Sequence, residues 1–244
     1  MLHGALYTAV PGVTVVDVTH AVRRFDVVEA AWLLGEQVSQ FPVGSIHICG
    51  VRAAAKDRPL RAVRFDGRWV FASDTGFFRL LECGEPESVV DLPASGSGTF
   101  PELEVFVPAA ARLLAGEHPA GLGTIGGELV HAEARRPTQE SGALVGGVVH
   151  VDGYGNCVTN IHRRDLEHAA AGRSFVIRLR SARMEIRKVH AAYEDVAPGE
   201  RIAVYNRRGF LEIAINSHSV PGGRGGADTL LGLAHGTTVR IEFE

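Results

Sequence analysis

Apolar and polar residues follow two different rhythms along this chain, and the rhythm changes near the middle. The run Val13–Val18 is apolar and β-branched, which predicts a strand. Behind it, "FDVVEAAWLLGEQVSQF" sets Ala30, Ala31, Leu33, Leu34 and Val38 at helical spacing, with Asp26 and Glu29 placed as a capping box. Ser45–Val51 reads as the next strand, and "RAVRFDGRWVFAS" as a hairpin turning at Asp66-Gly67. "EVFVPAAARLLAG" reads as a second helix with Pro108 near its first turn. Strand, helix and strand on short connections predict an α/β domain, a mainly parallel sheet with flanking helices.

Past Glu140 the helical period gives way to strand-like runs separated by turns. They are Leu144–Val151, Phe175–Leu179, Met184–Val189, Arg201–Tyr205, Phe210–Ile215 and Val239–Phe243. This pattern predicts an all-β, barrel-like domain. The polar Gly- and Pro-bearing stretch Glu117–Ser141 reads as a linker, which divides the chain into domains over residues 1–130 and 131–244.

Composition narrows the function classes. With 244 residues, 45% hydrophobic and 22% charged, the chain can bury a substantial core. A net charge of −3 gives no electrostatic footprint for nucleic acid, and basic residues cluster only in pairs such as Arg23-Arg24 and Arg163-Arg164. No apolar run approaches the roughly eighteen residues of a membrane span, and the N-terminus does not read as a signal peptide. Cys49, Cys83 and Cys157 are widely spaced with no C-x-x-C, which predicts reduced thiols, a cytoplasmic location and no disulfide framework. The eleven histidines show no ligand spacing, so no metal site is expected.

One short stretch concentrates chemistry. In "HVDGYGNCVTN", residues 150–160, a carboxylate, an aromatic ring and an amide are packed between glycines. Two readings stand. The stretch is a hairpin turn chosen for turn chemistry, or a strand-end loop offering Asp152, Tyr154 and Asn156 to a polar, ring-containing ligand. Cys157 beside it reads as an exposed free thiol. Gly222, Gly223, Gly225 and Gly226 further on read as a flexible loop rather than an anion cradle, because they lack phosphate-loop spacing.

Several segments together resemble a known family. "PGVTVVDVTHAVRRFDVVEAAWLLGEQVSQFPVGSIHI", "WVFASDTGFF", "TFPELEVFVPAAARLLAG", and the pair "GVVHVDGYGNCVTNI" and "GERIAVYNRRGFLEIAIN" occur in the order found in the S-adenosylmethionine hydroxide adenosyltransferases. These are the S-adenosylmethionine hydrolases, a family that includes the fluorinating and chlorinating enzymes. The resemblance implies an N-terminal α/β domain and a C-terminal β-barrel. It also implies a cytoplasmic homotrimer with the nucleoside site at a protomer interface. The implied reaction is in-line attack by water, hydroxide or halide on the ribose C5′ of S-adenosylmethionine, needing no metal or redox cofactor because the sulfonium already leaves well.

Position by position, the resemblance implies substrate contacts from Phe25 (nucleophile side), Thr99 and Phe100 (near C5′) and Asp152 (methionine amine). It further implies contacts from Tyr154 (adenine face), Asn156 (adenine edge), and Arg207 and Arg208 (methionine carboxylate and adenine). Phe25 also reads as a hydrophobic staple beside Asp26, Thr99-Phe100 as a strand end before a turn, and one of the two arginines as plain surface.

The departures fall on the nucleophile. The family's opening T-D-F-G, whose Asp holds the ribose hydroxyls, has no counterpart before His3-Gly4. This leads to the expectation of a start further upstream or an incomplete site. Arg52 stands where the hydrolases carry the water-activating Asp, and Pro101 where they carry a His; proline can serve as neither acid nor base. Arg58 aligns with the set's Arg, and Glu102 offers a substitute carboxylate, as do Asp57 and Glu104. The leading expectation is a hydrolase with Arg58 and Glu102 as catalytic groups. The alternative is a degenerate member that binds S-adenosylmethionine or adenosine, or persists as a structural oligomer.

Overall fold

In the computed structural model, which describes residues 1–54, 57–93, 98–179, 184–216 and 225–244, contacts divide the chain into two units. These are Met1–Ala134 and Arg135–Glu244. The first unit opens with helix α1 (Leu2–Ala9), followed by a long irregular segment. Val13–Val18, read above as a strand, has no regular structure. Val16 and Val18 are exposed, because among the described residues no strand pairs with the segment. A strand needs a partner for its backbone groups, and β-branched composition cannot supply one.

Helix α2 (Val27–Val38) starts where the capping signal placed it. Asp26 Oδ1 accepts from Glu29 N at 2.8 Å. The reciprocal bond of a capping box is replaced: Glu29 Oε2 accepts from Arg23 N and Nε, while Asp26 N donates to Arg23 O. Next come β1 (Ile46–Ile48), β2 (Leu60–Phe65) and β3 (Arg68–Ser73), then helix α3 (Phe77–Leu80) and β4 (Ser88–Leu92). A π-turn over Glu102–Phe106 runs directly into α4 (Val107–Leu114). Beyond it lie α5 (Pro119–Leu122) and β5 (Thr124–Ile125).

The sheet order is β1-β3-β2-β4-β5. Only β1 and β3 are parallel; the remaining pairs are antiparallel, so the sheet is mixed rather than mainly parallel. The reason is local. Asp66 and Gly67 both take positive φ, so β2 and β3 close in a two-residue turn that reverses the chain without a crossover helix.

Both sheet faces are covered, which explains the nearly continuous burial of β2 and β3. Val63, Phe65, Val70 and Ala72 face Ala30, Ala31, Leu34 and Val38 of α2 together with Phe77 and Phe78. Leu60, Ala62, Trp69 and Phe71 face Phe106, Ala109 and Ala110. A buried ion cluster closes one edge. Arg61 Nη1 donates to Asp74 Oδ2 at 2.5 Å and to Glu128 O, and Arg61 Nε donates to Asp91 Oδ1 at 2.6 Å. Val130 N also donates to Asp74. Part of the stretch read as a linker is therefore folded onto this unit through α5, β5 and these bonds.

The second unit contains β6 (Thr138–Glu140), β7 (Ala143–Val151), β8 (Cys157–His162), helix α6 (Arg163–Ala170) and β9 (Phe175–Arg178). It continues with β10 (Glu185–Ile186), β11 (Val189–His190), a 3₁₀ turn at Tyr193–Asp195, β12 (Arg201–Tyr205) and β13 (Phe210–Ile215). It ends with α7 (Ala227–Leu230) and β14 (Thr238–Phe243). The strands form one curled sheet ordered β10-β9-β14-β7-β8-β13-β12-β11, with β6 added to β7. Arg201 on β12 donates to Glu185 O on β10, tying strands from opposite ends of that order into a nearly closed barrel.

The unit is not all-β. Helix α6 was missed because its sequence is mostly polar and only eight residues long. Leu166, Ala169 and Ala170 bury one narrow stripe, and His162 supplies a cap that accepts from Arg164 N. Among the described residues, no helix is long and apolar enough to cross a membrane.

Candidate active site

The first unit carries a cleft of about 370 Å³ at the C-terminal end of β1. Ile48, Gly50 and Val51 form its floor, Thr19, His20 and Val22 one wall, and Phe100, Glu102 and Leu103 the other; Met1 and Leu2 complete it. Strand ends in α/β folds commonly carry ligands because the backbone turns away there and leaves room. The π-turn explains the second wall. Leu103 N and Glu104 N both donate to Phe100 O, and buried Pro101 starts the turn, so Phe100 and Glu102 are delivered to the cleft together. Glu102 lies against Gly50. Behind it, burial pushes the Cys49 thiol up to about 11, with the Glu102 charge adding to the effect.

The other predicted residues of this unit stand differently. Thr99 is exposed beside Phe100. Phe25 has φ 64° and is 76% exposed, so it is not a packed staple. A bulky residue at positive φ is strained backbone, held here by the cap at Asp26. Arg58 does not line the cleft; its Nε lies 3.4 Å from Asp57 Oδ2 in an exposed pair. Glu104 turns away from the cleft to accept a hydrogen bond from Gly98 N. Of the three carboxylates considered, only Glu102 lines the cleft. Arg52 is exposed at φ 56°.

In the second unit the 152–156 loop is a closed ring of hydrogen bonds. Asp152 Oδ1 accepts from Tyr154 N at 2.8 Å and Asn156 N at 2.9 Å, and Oδ2 accepts from Asn156 Nδ2 at 3.0 Å. Asp152 N donates to Asn156 O, and Gly155 N to Asp152 O. Gly155 has φ 79°, and a Cβ there would collide with Gly226 and Asp228. The turn reading of the loop is what these bonds show. The turn is built by Asp152, and it holds up Tyr154, which is 84% exposed.

Cys157 is fully buried rather than an exposed thiol. Burial, with the nearby charges of Asp228, Asp152 and Glu212, pushes it up to about 12. Gly225 and Gly226 lead into α7, whose Asp228 N donates to Gly155 O; Gly222 and Gly223 lie outside the described residues.

Arg207 and Arg208 occupy the turn between β12 and β13. Arg207 is exposed, and Arg208 stacks with its Cζ 5.4 Å from the Phe210 ring centre. Phe210 pairs with His162 and Ile213 with Cys157. The register therefore sets this turn at the far end of β8 from the Asp152 loop, roughly 15–20 Å along the strand.

The sequence reading missed Tyr193, Glu212 and Asp228. Tyr193 Oη donates to buried Glu212 Oε1 at 2.5 Å, and burial followed by that carboxylate pushes the phenol up. A charged residue on an otherwise apolar strand, "FLEIAI", was the signal that could have found Glu212.

Comparison with known proteins follows the same division. Residues 1–123 match the family model described as the SAM hydroxide adenosyltransferase N-terminal domain, and residues 146–240 match its C-terminal domain. The chain is 31% identical to a Thermus thermophilus (R)-S-adenosyl-L-methionine hydrolase, over 95% of this chain and 89% of the relative. It is 26% identical to an Actinoplanes fluorinase, over 88% and 85%. An uncharacterized conserved protein from Thermotoga maritima shares the fold with a TM-score of 0.83 at 24% identity, covering 98% of this chain and 93% of that one.

Proposed function

This chain belongs to the S-adenosylmethionine hydroxide adenosyltransferase family, and from that premise we propose that it hydrolyses S-adenosylmethionine to adenosine and methionine. A water oxygen attacks ribose C5′ in line with the C5′–S bond. That bond breaks, its electron pair stays on sulfur as the neutral thioether, and the water proton passes to a carboxylate or to solvent. The sulfonium is already a good leaving group, so the protein's share is to place and partly desolvate the water.

The observation that carries the hydrolase reading is Glu102 in the cleft beside Phe100. In this reading Glu102 orients the water that the family's Asp and His orient elsewhere. Phe100, Thr99 and Phe25 face the ribose. Asp152 takes the methionine amine, Tyr154 stacks on adenine and Asn156 reads its edge. Arg207, Arg208 and Arg58 receive no role. The wider proposal is a cytoplasmic homotrimer whose nucleoside site is completed at the protomer interface.

The test is product analysis in heavy-oxygen water. Adenosine labelled at its 5′ oxygen, formed with methionine, is the expected result, and Glu102→Gln lowers the rate at least a hundredfold. A second reading rests on Arg52 and buried Pro101 at the usual activating positions. It predicts calorimetric binding of S-adenosylmethionine or adenosine with no cleavage. That outcome overturns the hydrolase.

A further inference from the structure

Three side chains outside the roles assigned above meet at the first turn of α1. His3 Nε2 lies 2.8 Å and His20 Nε2 lies 3.1 Å from the same atom, Asp17 Oδ1. The three potential ligand atoms all lie within 4.8 Å of one another. Two imidazoles from different elements thus converge on one carboxylate oxygen, each through its Nε2. We infer that His3, Asp17 and His20 form a binding site for a divalent first-row transition metal, with water in the remaining coordination positions.

The donor set decides the class of ion. Two imidazoles and one carboxylate suit zinc or cobalt(II), whereas magnesium and calcium prefer oxygen ligands throughout. The spacing is compatible. Zinc bonds to nitrogen and oxygen of about 2.0–2.2 Å separate neighbouring ligand atoms by roughly 3–3.5 Å, so small side-chain rotations accommodate the ion. Access is also present, because the side chains are 44%, 47% and 78% exposed for His3, Asp17 and His20. His20 lines the cleft as well, so the ion would stand at the cleft's rim. No spacing motif betrays the set, since one ligand comes from a helix and two from an irregular segment.

This inference does not rest on the hydrolase reading, and its test does not use activity. Tag-free full-length chain, stripped with chelator, is titrated with cobalt(II). The expected result is one ion per chain with the visible absorption of nitrogen-ligated cobalt, displaced by zinc. His20→Ala, at a largely exposed position, weakens binding at least tenfold, as do His3→Ala and Asp17→Asn. His118→Ala, a control outside the cluster, leaves it unchanged. Absence of saturable binding up to millimolar cobalt overturns the site, and so does His20→Ala binding like the parent. In either case the three side chains form only a hydrogen-bonded cluster.

Discussion

A Cβ built on Gly50 would stand 2.8 Å from Glu102 Oε1, so the absence of a side chain at the end of β1 is what lets this carboxylate lie in the cleft. Glycine's φ is ordinary here, and the obstructed atom is the tip of a flexible side chain. Gly50→Ala should therefore cost little stability while displacing the carboxylate. Melting temperature within a few degrees of the parent is expected, together with a loss of turnover approaching that of Glu102→Gln. Full activity in Gly50→Ala would remove Glu102 from the mechanism.

Phe25 sets stability against function. Its φ of 64° costs a bulky L-residue about 1–2 kcal/mol, and its ring is too exposed to recover that through burial. Phe25→Gly is expected to raise the denaturation midpoint and to weaken S-adenosylmethionine turnover. Thermal melts and steady-state kinetics on one preparation check both halves.

Arg61 and Asp74 form the buried half of the ion cluster, with Asp74 wholly inaccessible. Arg61→Met removes the cation and leaves an uncompensated carboxylate, at an expected cost of about 3–5 kcal/mol. Urea denaturation reads this directly. The double variant Arg61→Met with Asp74→Leu should recover part of the loss, because the isolated charge is then gone.

The buried thiols make stability fall at alkaline pH. Cys49 and Cys157 are pushed from 9.0 to about 11 and about 12, by burial first. A thiol whose pKa is raised in the folded state contributes its full share below the unfolded value. That share is lost as pH rises above about 9 toward the folded values, at up to about 1.4 kcal/mol per pH unit for each thiol. Stability measured from pH 8 to 11 should decline, and Cys157→Ala should flatten the decline. At pH 8, native protein should lose only half-buried Cys83 to a thiol reagent, and unfolded protein all three cysteines.

His47 works in the opposite direction. Burial, with Arg68 nearby, holds its pKa below the ordinary 6.5. A histidine with a lowered folded pKa contributes stability above the unfolded value, and this is lost as pH falls below about 6.5. His47→Gln should reduce the acid-side slope of stability, as followed by melts between pH 7 and 5.

Much of the fold was legible in local pattern. The cap at Asp26, the Asp66-Gly67 hairpin, the helix after Phe100 and five of the six strand runs after residue 140 follow from spacing and turn chemistry. These act between residues close in sequence. The Met184–Val189 run instead became two short strands, β10 and β11. Val13–Val18 failed as a strand and α6 escaped notice, because pairing partners and buried stripes are supplied from elsewhere in the chain.

The same line runs through the sites. By itself, the sequence determined the family and the chemistry gathered at Asp152, Tyr154 and Asn156, and led to the expectation that Arg52 and Pro101 stand in place of the usual activating residues. Only the tertiary structure decided that Glu102, rather than Asp57 or Glu104, lines the cleft, and that Asp152 also closes its own loop with its carboxylate. It alone decided that Cys157 is buried, and that His3, Asp17 and His20 converge. These are relations in space between residues far apart in the chain or on opposite sides of a turn. No spacing rule encodes them, because packing of whole elements, not local propensity, brings such side chains together.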